Sequence, residues 1–306
     1  MKQLAVFAVA AALSAAVPVA SAYAETSGPI NVVGVENEYA NVVSQIGGKF
    51  VKVVAIETDP NTDPHTFEAS PSVAKEIAAA QLVVVNGVGY DDWAAKIMSA
   101  TPRPNRKVIN VQKLLGLPDD TKNPHLWYDP KTMPAVAKAV ADALAALKPS
   151  EASYFHSSAD KFVTSLKPWT EAIAAFKAKY ENTPVATTEP VSDYLLQAMG
   201  FKIMTPFSLE KAIMDGTDPS PQDVTLENDL FANHKVKVFA YNQQVTDALT
   251  KSFLDNAKKA GIPVVGVYET MPTPGYDYQS WMLAETAALQ KAVADKVSTE
   301  TLEKGH

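Results

Sequence analysis

Short runs rich in valine and isoleucine alternate with longer, alanine-rich amphipathic runs along most of this 306-residue chain. The valine-rich runs are typical of strands buried on both faces, as in parallel sheets, and the longer runs have helical periodicity. Strand–helix alternation predicts an α/β fold. The predicted strands form two sets of four, at 31–35, 50–57, 81–86 and 107–111, and at 184–188, 202–206, 236–241 and 263–269.

The segment between the two sets is predicted to be almost entirely helical. One helix is predicted over 131–147, and Pro149 ends it. A second helix over 151–179 would be on the order of 40 Å long, with a kink at Pro168. The sequence therefore predicts two α/β lobes, each with a four-stranded, mainly parallel sheet, joined by a long rigid helix. The boundaries are 25–148 for the first lobe, 149–180 for the connecting helix and 181–306 for the second lobe.

The first 24 residues have a different pattern. Lys2 is followed by an apolar run over 4–17 and then by small residues that end at Ala24. This order predicts a secretory signal peptide over 1–24, cleaved after Ala24 or alternatively after Ala22. The apolar run is too short for a membrane-spanning helix, which is the competing interpretation.

Composition narrows the class of protein. The chain has no cysteine, which excludes disulfides, thiolate nucleophiles, cysteine metal sites and a lipid-anchored cysteine. The formal charge is −7, and removal of Lys2 with the signal peptide makes it −7 − 1 = −8. Such an acidic chain, without basic runs, is a poor ligand for nucleic acid or anionic membranes. We expect a protein free in the periplasm, with no lipid anchor and no membrane insertion.

Two of the five histidines follow a proline in similar motifs, His65 in "DPHTFEASP" and His125 in "NPHLWYDP". Both lie beyond the end of a predicted strand, as do Glu189 in "TTEPVSDYL" and Glu269 in "VYETMP". Ligands of open parallel sheets bind beyond the carboxyl ends of the strands. Two imidazoles and two carboxylates suit a divalent first-row metal, so these four residues are the candidate metal ligands. Glu189 could instead stabilise a helix N-terminus, and Glu269 could be solvated.

Neighbouring residues in the two motifs have supporting roles in this interpretation. Asp63, Glu68 and Asp129 are expected to orient the loops or to accept an imidazole N–H. Trp127 and Tyr128 are expected to pack around the site. The other three histidines have no motif around them and are expected at the surface or in loops: His156, His234 and His306.

These motifs resemble those of the periplasmic solute-binding proteins of ABC importers for zinc, manganese and iron, and the similarity covers the whole mature chain. The resemblance implies a metal at the interface of two lobes, with His65, His125, Glu189 and Glu269 as ligands. It implies manganese or zinc as the transported ligand, with iron(II) as a further option, and a transmembrane permease as partner. It also implies a monomer that performs no chemistry. In the family the position of Glu189 is His or Glu, and that of Glu269 is commonly Asp.

The metal and the function have competing interpretations. Segment 113–122 is short and lacks histidine, unlike the loop of many zinc-dedicated members, and the carboxylate at Glu189 favours a harder ion such as manganese. The Irving–Williams order still favours zinc. A metal-dependent hydrolase would need an open coordination position and a base, and no His-Glu-x-x-His or Gly-x-Ser-x-Gly motif occurs. A surface adhesin on the same fold is the remaining alternative.

Overall fold

In the computed structural model, which describes residues 28–272 and 274–302, eight strands form two four-stranded parallel sheets. The strand order is β2-β1-β3-β4 in the first sheet and β6-β5-β7-β8 in the second, so both lobes have the same topology. The predicted two-lobe α/β fold is confirmed. The predicted signal peptide at 1–24 lies outside the described residues. The strands are β1 (Ile30–Glu36), β2 (Val51–Glu57), β3 (Leu82–Val85), β4 (Lys107–Asn110), β5 (Pro184–Thr187), β6 (Lys202–Ile203), β7 (Val238–Asn242) and β8 (Val264–Val267).

Helices cover the sheets and connect the parallel strands, as parallel topology requires. Several begin at residues the sequence marks as helix starts: Ser70 caps the helix that opens with Pro71, and Asp277 forms a capping box with Ser280. The α-helices of the described residues are α1 (Asn37–Gly47), α2 (Pro71–Ala79), α3 (Asp92–Ala100), α4 (Val111–Leu114), α5 (Thr132–Leu147), α6 (Ala152–Ser165), α7 (Lys167–Tyr180), α8 (Asp193–Ala198), α9 (Phe207–Met214), α10 (Pro221–Ala232), α11 (Ala248–Lys259) and α12 (Tyr278–Asp295).

Strand β6 is shorter than the sequence predicts, two residues in place of the range 202–206. The hydrogen-bond ladder between β5 and β6 ends at Thr205. The Oγ1 atom of Thr205, and not a backbone carbonyl of β6, accepts a hydrogen bond from the backbone N–H of Thr187 at 2.9 Å. Pro206, which has no N–H to donate, then precedes α9 as its N-cap residue.

The connection between the lobes is helical over almost its whole length. It starts with a 3-10 turn at Pro149–Glu151 and continues as α6 and α7, which meet at Leu166. Leu166 itself keeps right-handed helical angles, φ −77° and ψ −9°. The helix is thus interrupted two residues before Pro168. Pro168 lies in the first turn of α7, where a backbone N–H has no partner within the helix, so the missing N–H of proline costs no hydrogen bond there.

The largest of three hydrophobic clusters in the described residues extends through both lobes and the connecting helices. Ile46 of the first lobe, Phe155 and Trp169 of the connection, and Leu195 and Trp281 of the second lobe all belong to one cluster of buried side chains. Trp169 also donates from Nε1 to Thr286 Oγ1 at 3.0 Å, which bonds α7 to α12. The connecting helix is therefore bonded to the second lobe, and α12 of that lobe also packs against α1 of the first lobe. None of the helices in the described part of the chain combines the length and hydropathy of a membrane span.

Candidate metal centre

His65 lies in a short turn between β2 and α2, and local hydrogen bonds hold that turn. Asp63 accepts from the backbone N–H of His65 at 2.8 Å, and Thr66 Oγ1 donates to the carbonyl oxygen of Asp63 at 2.8 Å. Pro64 opens the 3-10 turn Pro64–Thr66 with its fixed φ. The predicted orienting role of Asp63 is thus present in the structure, acting on the backbone of His65.

His125 is held by Asn123, two residues before it in "NPHLWYDP". The Oδ1 atom of Asn123 accepts from the backbone N–H of His125 at 3.0 Å and lies 2.8 Å from His125 Nδ1. An amide oxygen only accepts, so the proton resides on Nδ1 and the lone pair of Nε2 is free. The Nδ2 atom of Asn123 donates to the carbonyl oxygen of Pro190 at 2.7 Å, which fixes the orientation of the amide. His125 therefore presents Nε2 as a ligand atom.

Glu269 follows β8 in the second lobe and reaches both histidines of the first. Its Oε2 lies 3.2 Å from His65 Nε2 and 3.1 Å from His125 Nε2, and Tyr90 OH donates to the same oxygen at 3.0 Å. Asn242 Nδ2 donates to Oε1 at 2.8 Å. The carboxylate is therefore held by one residue from each lobe while it faces the two imidazoles.

The three candidate ligand atoms of His65, His125 and Glu269 all lie within 4.8 Å of one another. Ligands about 2.1 Å from a tetrahedral metal are about 3.4 Å apart, which is close to the two distances between the histidines and the carboxylate. The arrangement therefore has the size of a metal coordination sphere, and it lies between the lobes as the sequence predicts.

Burial and charge act in opposite directions at this cluster. Burial would raise the pKa of Glu269, but the imidazoles of His125 and His65, which lie 3.1 Å and 3.2 Å from its Oε2, outweigh burial and hold that pKa well below its usual range. Burial would lower the pKa of His65, yet the hydrogen bond and charge of Glu269 raise it above its ordinary value. For His125 burial prevails and its pKa is lowered. At neutral pH the cluster therefore contains an ionised carboxylate and a neutral His125, which are the protonation states that a metal requires.

His65 faces solvent and the other two residues do not. The His65 side chain is 20% exposed, whereas those of His125 and Glu269 are completely buried. A cavity of about 330 Å³ adjoins His65, with Tyr90 and Lys122 of the first lobe and Lys211 and Asp215 of the second in its walls. Access to the cluster is therefore through this cavity, on the side of His65.

Glu189, the fourth candidate ligand, lies outside the group of three in the described structure. It follows β5, is 2% exposed, and neither of its carboxylate oxygens has a hydrogen-bond partner. Burial raises the pKa of Glu189 well above its usual range; the charges of Glu269 and Asp63 raise it further, and the amide of Asn242 acts in the opposite direction. A buried, unpaired carboxyl group beside a second carboxylate is costly, and a cation between them would compensate both.

The remaining predicted neighbours have structural roles. The Trp127 ring packs at 5.4 Å from that of His125, and Tyr128 OH donates to the carbonyl oxygen of Tyr268 at 2.8 Å. Asp129 accepts from the backbone of Lys131 at 2.9 Å. Glu68 and His156 are exposed, His234 lies in the loop before β7, and His306 is outside the described residues.

Sequence reasoning missed four residues that hold the ligands. Tyr90, Asn242 and Gln244 contact Glu269, and Asn123 was part of a recognised motif without an assigned role. Tyr90 and Gln244 follow the ends of β3 and β7, and Asn242 is the last residue of β7. These three residues therefore share the strand-end signal of the candidate ligands, but that signal does not show which side chain each of them contacts.

Comparison with known proteins gives one family. The model of the family described as zinc-uptake complex component A, periplasmic (ZnuA), matches residues 32–292. A protein of Thermotoga maritima described as metal-binding is 29% identical over 172 residues, which are 55% of this chain and 61% of the relative, so the match spans less than two thirds of that protein. The manganese-binding lipoprotein MntA of Bacillus subtilis is 24% identical over 243 residues, 76% of this chain and 77% of the relative. In fold, the periplasmic zinc binding protein TroA of Treponema pallidum superposes with a TM-score of 0.74 at 19% identity, over 88% of this chain and 100% of TroA.

Proposed function

We propose that this chain, which belongs to the ZnuA family of periplasmic zinc-uptake components, captures a divalent transition metal and delivers it to a transmembrane ABC permease. As a member of that family it is a metal-binding transport protein and not an enzyme. The observation that carries the proposal is the cluster of His65, His125 and Glu269, whose ligand atoms lie within 4.8 Å of one another between the lobes. A carrier has no need of an open catalytic position, and a site closed by protein ligands suits it.

Glu189 is the proposed fourth ligand. Its support is the buried carboxyl group without a hydrogen-bond partner, close enough to Glu269 for the charge of one to raise the pKa of the other. Glu189 and Glu269 follow two strands of the same sheet, so both carboxyl groups belong to the lobe that faces the two histidines. The completed site would have two nitrogen and two carboxylate ligands.

The proposed cargo is manganese or zinc, with iron(II) as a third candidate. Two carboxylates suit a harder ion such as manganese, whereas intrinsic affinity at such a site follows the Irving–Williams order and favours zinc. The relatives give both answers, since the MntA protein is described as manganese-binding and the TroA protein as zinc-binding.

The proposed location of the protein is the periplasm, which it reaches through a signal peptide cleaved after Ala24, and it carries no lipid anchor. We propose that it is a monomer whose partner is a transmembrane permease and that it does not bind nucleic acid. The proposed units are the first lobe at 25–148, the connecting helix at 149–180 and the second lobe at 181–306. Support for a free, acidic carrier comes from the absence of cysteine in the sequence and its net charge of −7.

The test is to purify the protein from cells without added metal, to quantify the metals bound, and then to titrate the metal-free protein with manganese, zinc and iron(II) in competition. We expect one equivalent of metal per chain and tight binding of at least one of the three ions. A protein that copurifies with no metal and binds none of them would refute the proposal.

A further inference from the structure

The side chain of Gln244, just beyond the end of β7, bonds to both lobes next to the metal cluster. Its Oε1 accepts from the backbone N–H groups of Glu269 at 2.6 Å and Thr270 at 2.9 Å. Its Nε2 donates to the carbonyl oxygen of Thr62 at 2.8 Å and to Thr270 Oγ1 at 3.2 Å. A reversed amide would set its NH₂ group against two N–H groups, so the neighbours determine its orientation. Gln244 is 6% exposed, which makes these bonds buried ones.

Thr62 belongs to the loop that carries His65. Much of this loop is exposed, and Asp59 and Asp63 organise it internally by accepting hydrogen bonds from Asn61 and His65. Those contacts shape the loop but attach it to nothing in the second lobe. The bond from Gln244 Nε2 to Thr62 does attach it, three residues before His65.

At its other end Gln244 belongs to the network that holds Glu269. The backbone N–H of Gln244 donates to Asn242 Oδ1 at 2.9 Å, and Asn242 Nδ2 donates to Glu269 Oε1 at 2.8 Å. The carboxamide of Gln244 thus holds the backbone of Glu269, and the carboxamide of Asn242 holds its carboxylate. The loop of His65 is therefore bonded, through Gln244, to the segment that supplies the opposing ligand.

Asn123 makes an equivalent connection for the other histidine. It bonds to His125 through Oδ1 and to Pro190, the residue after Glu189, through Nδ2. Each histidine of the first lobe is thus linked by a neutral carboxamide to a carboxylate-bearing segment of the second lobe. An amide has a donor and an acceptor on one planar group, so it links two backbone segments without altering the charge of the site.

We propose that Gln244 is a positioning residue that keeps His65 in its ligand position and thereby sets how long a bound metal is retained. The inference rests on the proposed metal site. His65 is the ligand in contact with solvent, so its departure from the metal is the step that opens the site. Removing the Gln244 bonds removes this attachment of the His65 loop and speeds that step. The Glu269 carboxylate that an arriving ion meets is still held by Asn242 and Tyr90.

Gln244→Met tests this, because methionine has a similar shape and lacks both hydrogen-bonding groups. Zinc-loaded protein is mixed rapidly with excess chromogenic chelator, and association is measured separately with metal-free protein. We expect about tenfold faster zinc release, as the loss of one or two buried hydrogen bonds would give, with an unchanged association rate. The matched control is Gln243→Met, since the adjacent glutamine has no side-chain bond to the site, and it should release zinc at the wild-type rate.

Gln244→Asn guards against a folding defect, because it retains a neutral carboxamide that is one methylene too short to bond to both lobes. It should also release zinc faster, while a cooperative unfolding transition of the metal-free protein shows that the variant is folded. If both Gln244 variants release zinc at the wild-type rate while His65→Ala fails to bind it, the positioning role is refuted and the metal site stands. If His65→Ala binds zinc like wild type, the proposed site itself is wrong.

Discussion

His125 Nε2 and Glu269 Oε2 lie 3.1 Å apart across the boundary between the lobes, although the two residues are 144 positions apart in the chain. Both atoms are completely buried, and His65 Nε2 approaches the same carboxylate oxygen at 3.2 Å. Three ligand atoms are thus brought together from both lobes, within 4.8 Å of one another. A metal would replace contacts between the ligands with bonds to itself, which requires small displacements only.

Replacement of either histidine by alanine should abolish tight metal binding. His65 is partly exposed, so His65→Ala should leave the stability of the metal-free protein nearly unchanged. His125→Ala removes a fully buried ring and leaves Asn123 Oδ1 with one bond fewer, at a cost of about 1–3 kcal/mol. Calorimetric titration and thermal unfolding measure the two effects. His156→Ala, at an exposed histidine of the connecting helix, is the control, and wild-type affinity in both site variants would mean that the metal binds elsewhere.

Glu189→His should shift selectivity toward zinc and away from manganese. A third imidazole replaces an oxygen ligand, which suits zinc and removes a negative charge that a harder ion needs. The ratio of the two affinities must be obtained from competition between the ions, because the affinity for zinc is expected to be high in both proteins. A ratio no higher than that of wild type would exclude Glu189 from the coordination sphere.

Metal binding should weaken on acidification, beginning above the ordinary pKa of histidine. The pKa of His65 is raised by Glu269 against the effect of burial, so its proton competes with the metal first; that of His125 is lowered, so it competes only at lower pH. Below the raised pKa of His65, affinity should fall about tenfold per pH unit for the one proton displaced. At a free metal concentration 100 times the dissociation constant, stabilisation is about 2.7 kcal/mol. Melting curves with and without metal, recorded from about pH 7.5 to about pH 5.5, should show this stabilisation decrease, and a constant difference would contradict the assignment.

The metal-free protein should show the opposite trend and lose stability as pH rises. Burial raises the pKa of Glu38 to about 8, Glu57 to about 9 and Glu227 to about 8. The native state then binds more protons than the unfolded chain between the ordinary carboxyl pKa and these values, so stability is greatest at the acid end of that range and falls above it. One such group changes stability by up to about 1.4 kcal/mol per pH unit.

Glu227→Gln removes one of these titrations far from the metal site, in α10. We expect it to be more stable than wild type at about pH 8 and to differ less at about pH 6, in urea unfolding of chelator-treated protein. Glu76→Gln, at an exposed position of α2, should leave the pH dependence unchanged. A Glu227→Gln protein with the same slope as wild type would show that this carboxyl group is ionised when folded.

The sequence was sufficient for the architecture because parallel strands and amphipathic helices are local patterns. Valine-rich runs such as β3 and β8 are buried on both faces, and the histidine motifs lie where strand ends predict. The same reasoning overestimated β6, where the side chain of Thr205 takes over a backbone partner of the ladder. The replacement of a backbone partner by a side chain depends on a contact with Thr187 in another strand, so it has no signature in the local sequence.

The supporting amides were beyond the sequence for a related reason. Gln244 and Thr62 are 182 positions apart, and their bond exists only because two lobes meet in one particular register. Nothing distinguishes Gln244 from Gln243 in the sequence, yet only the former bonds to the metal-binding segments. Likewise the burial of Glu189 follows from β5, whereas its position relative to Glu269 depends on how β5 and β8 are arranged in the second sheet. The candidate ligands were thus predicted from motifs and strand ends, whereas the hydrogen bonds that support them were not predictable.

The most direct measurement of the central claim is an anomalous difference map from crystals of the protein loaded with zinc. We predict a single strong peak about 2.0–2.2 Å from nitrogen and oxygen ligands, contacting Nε2 of His65, Nε2 of His125, a carboxylate oxygen of Glu269 and one of Glu189. A peak bound by other residues, or full metal occupancy elsewhere with these four side chains unliganded, would contradict the account.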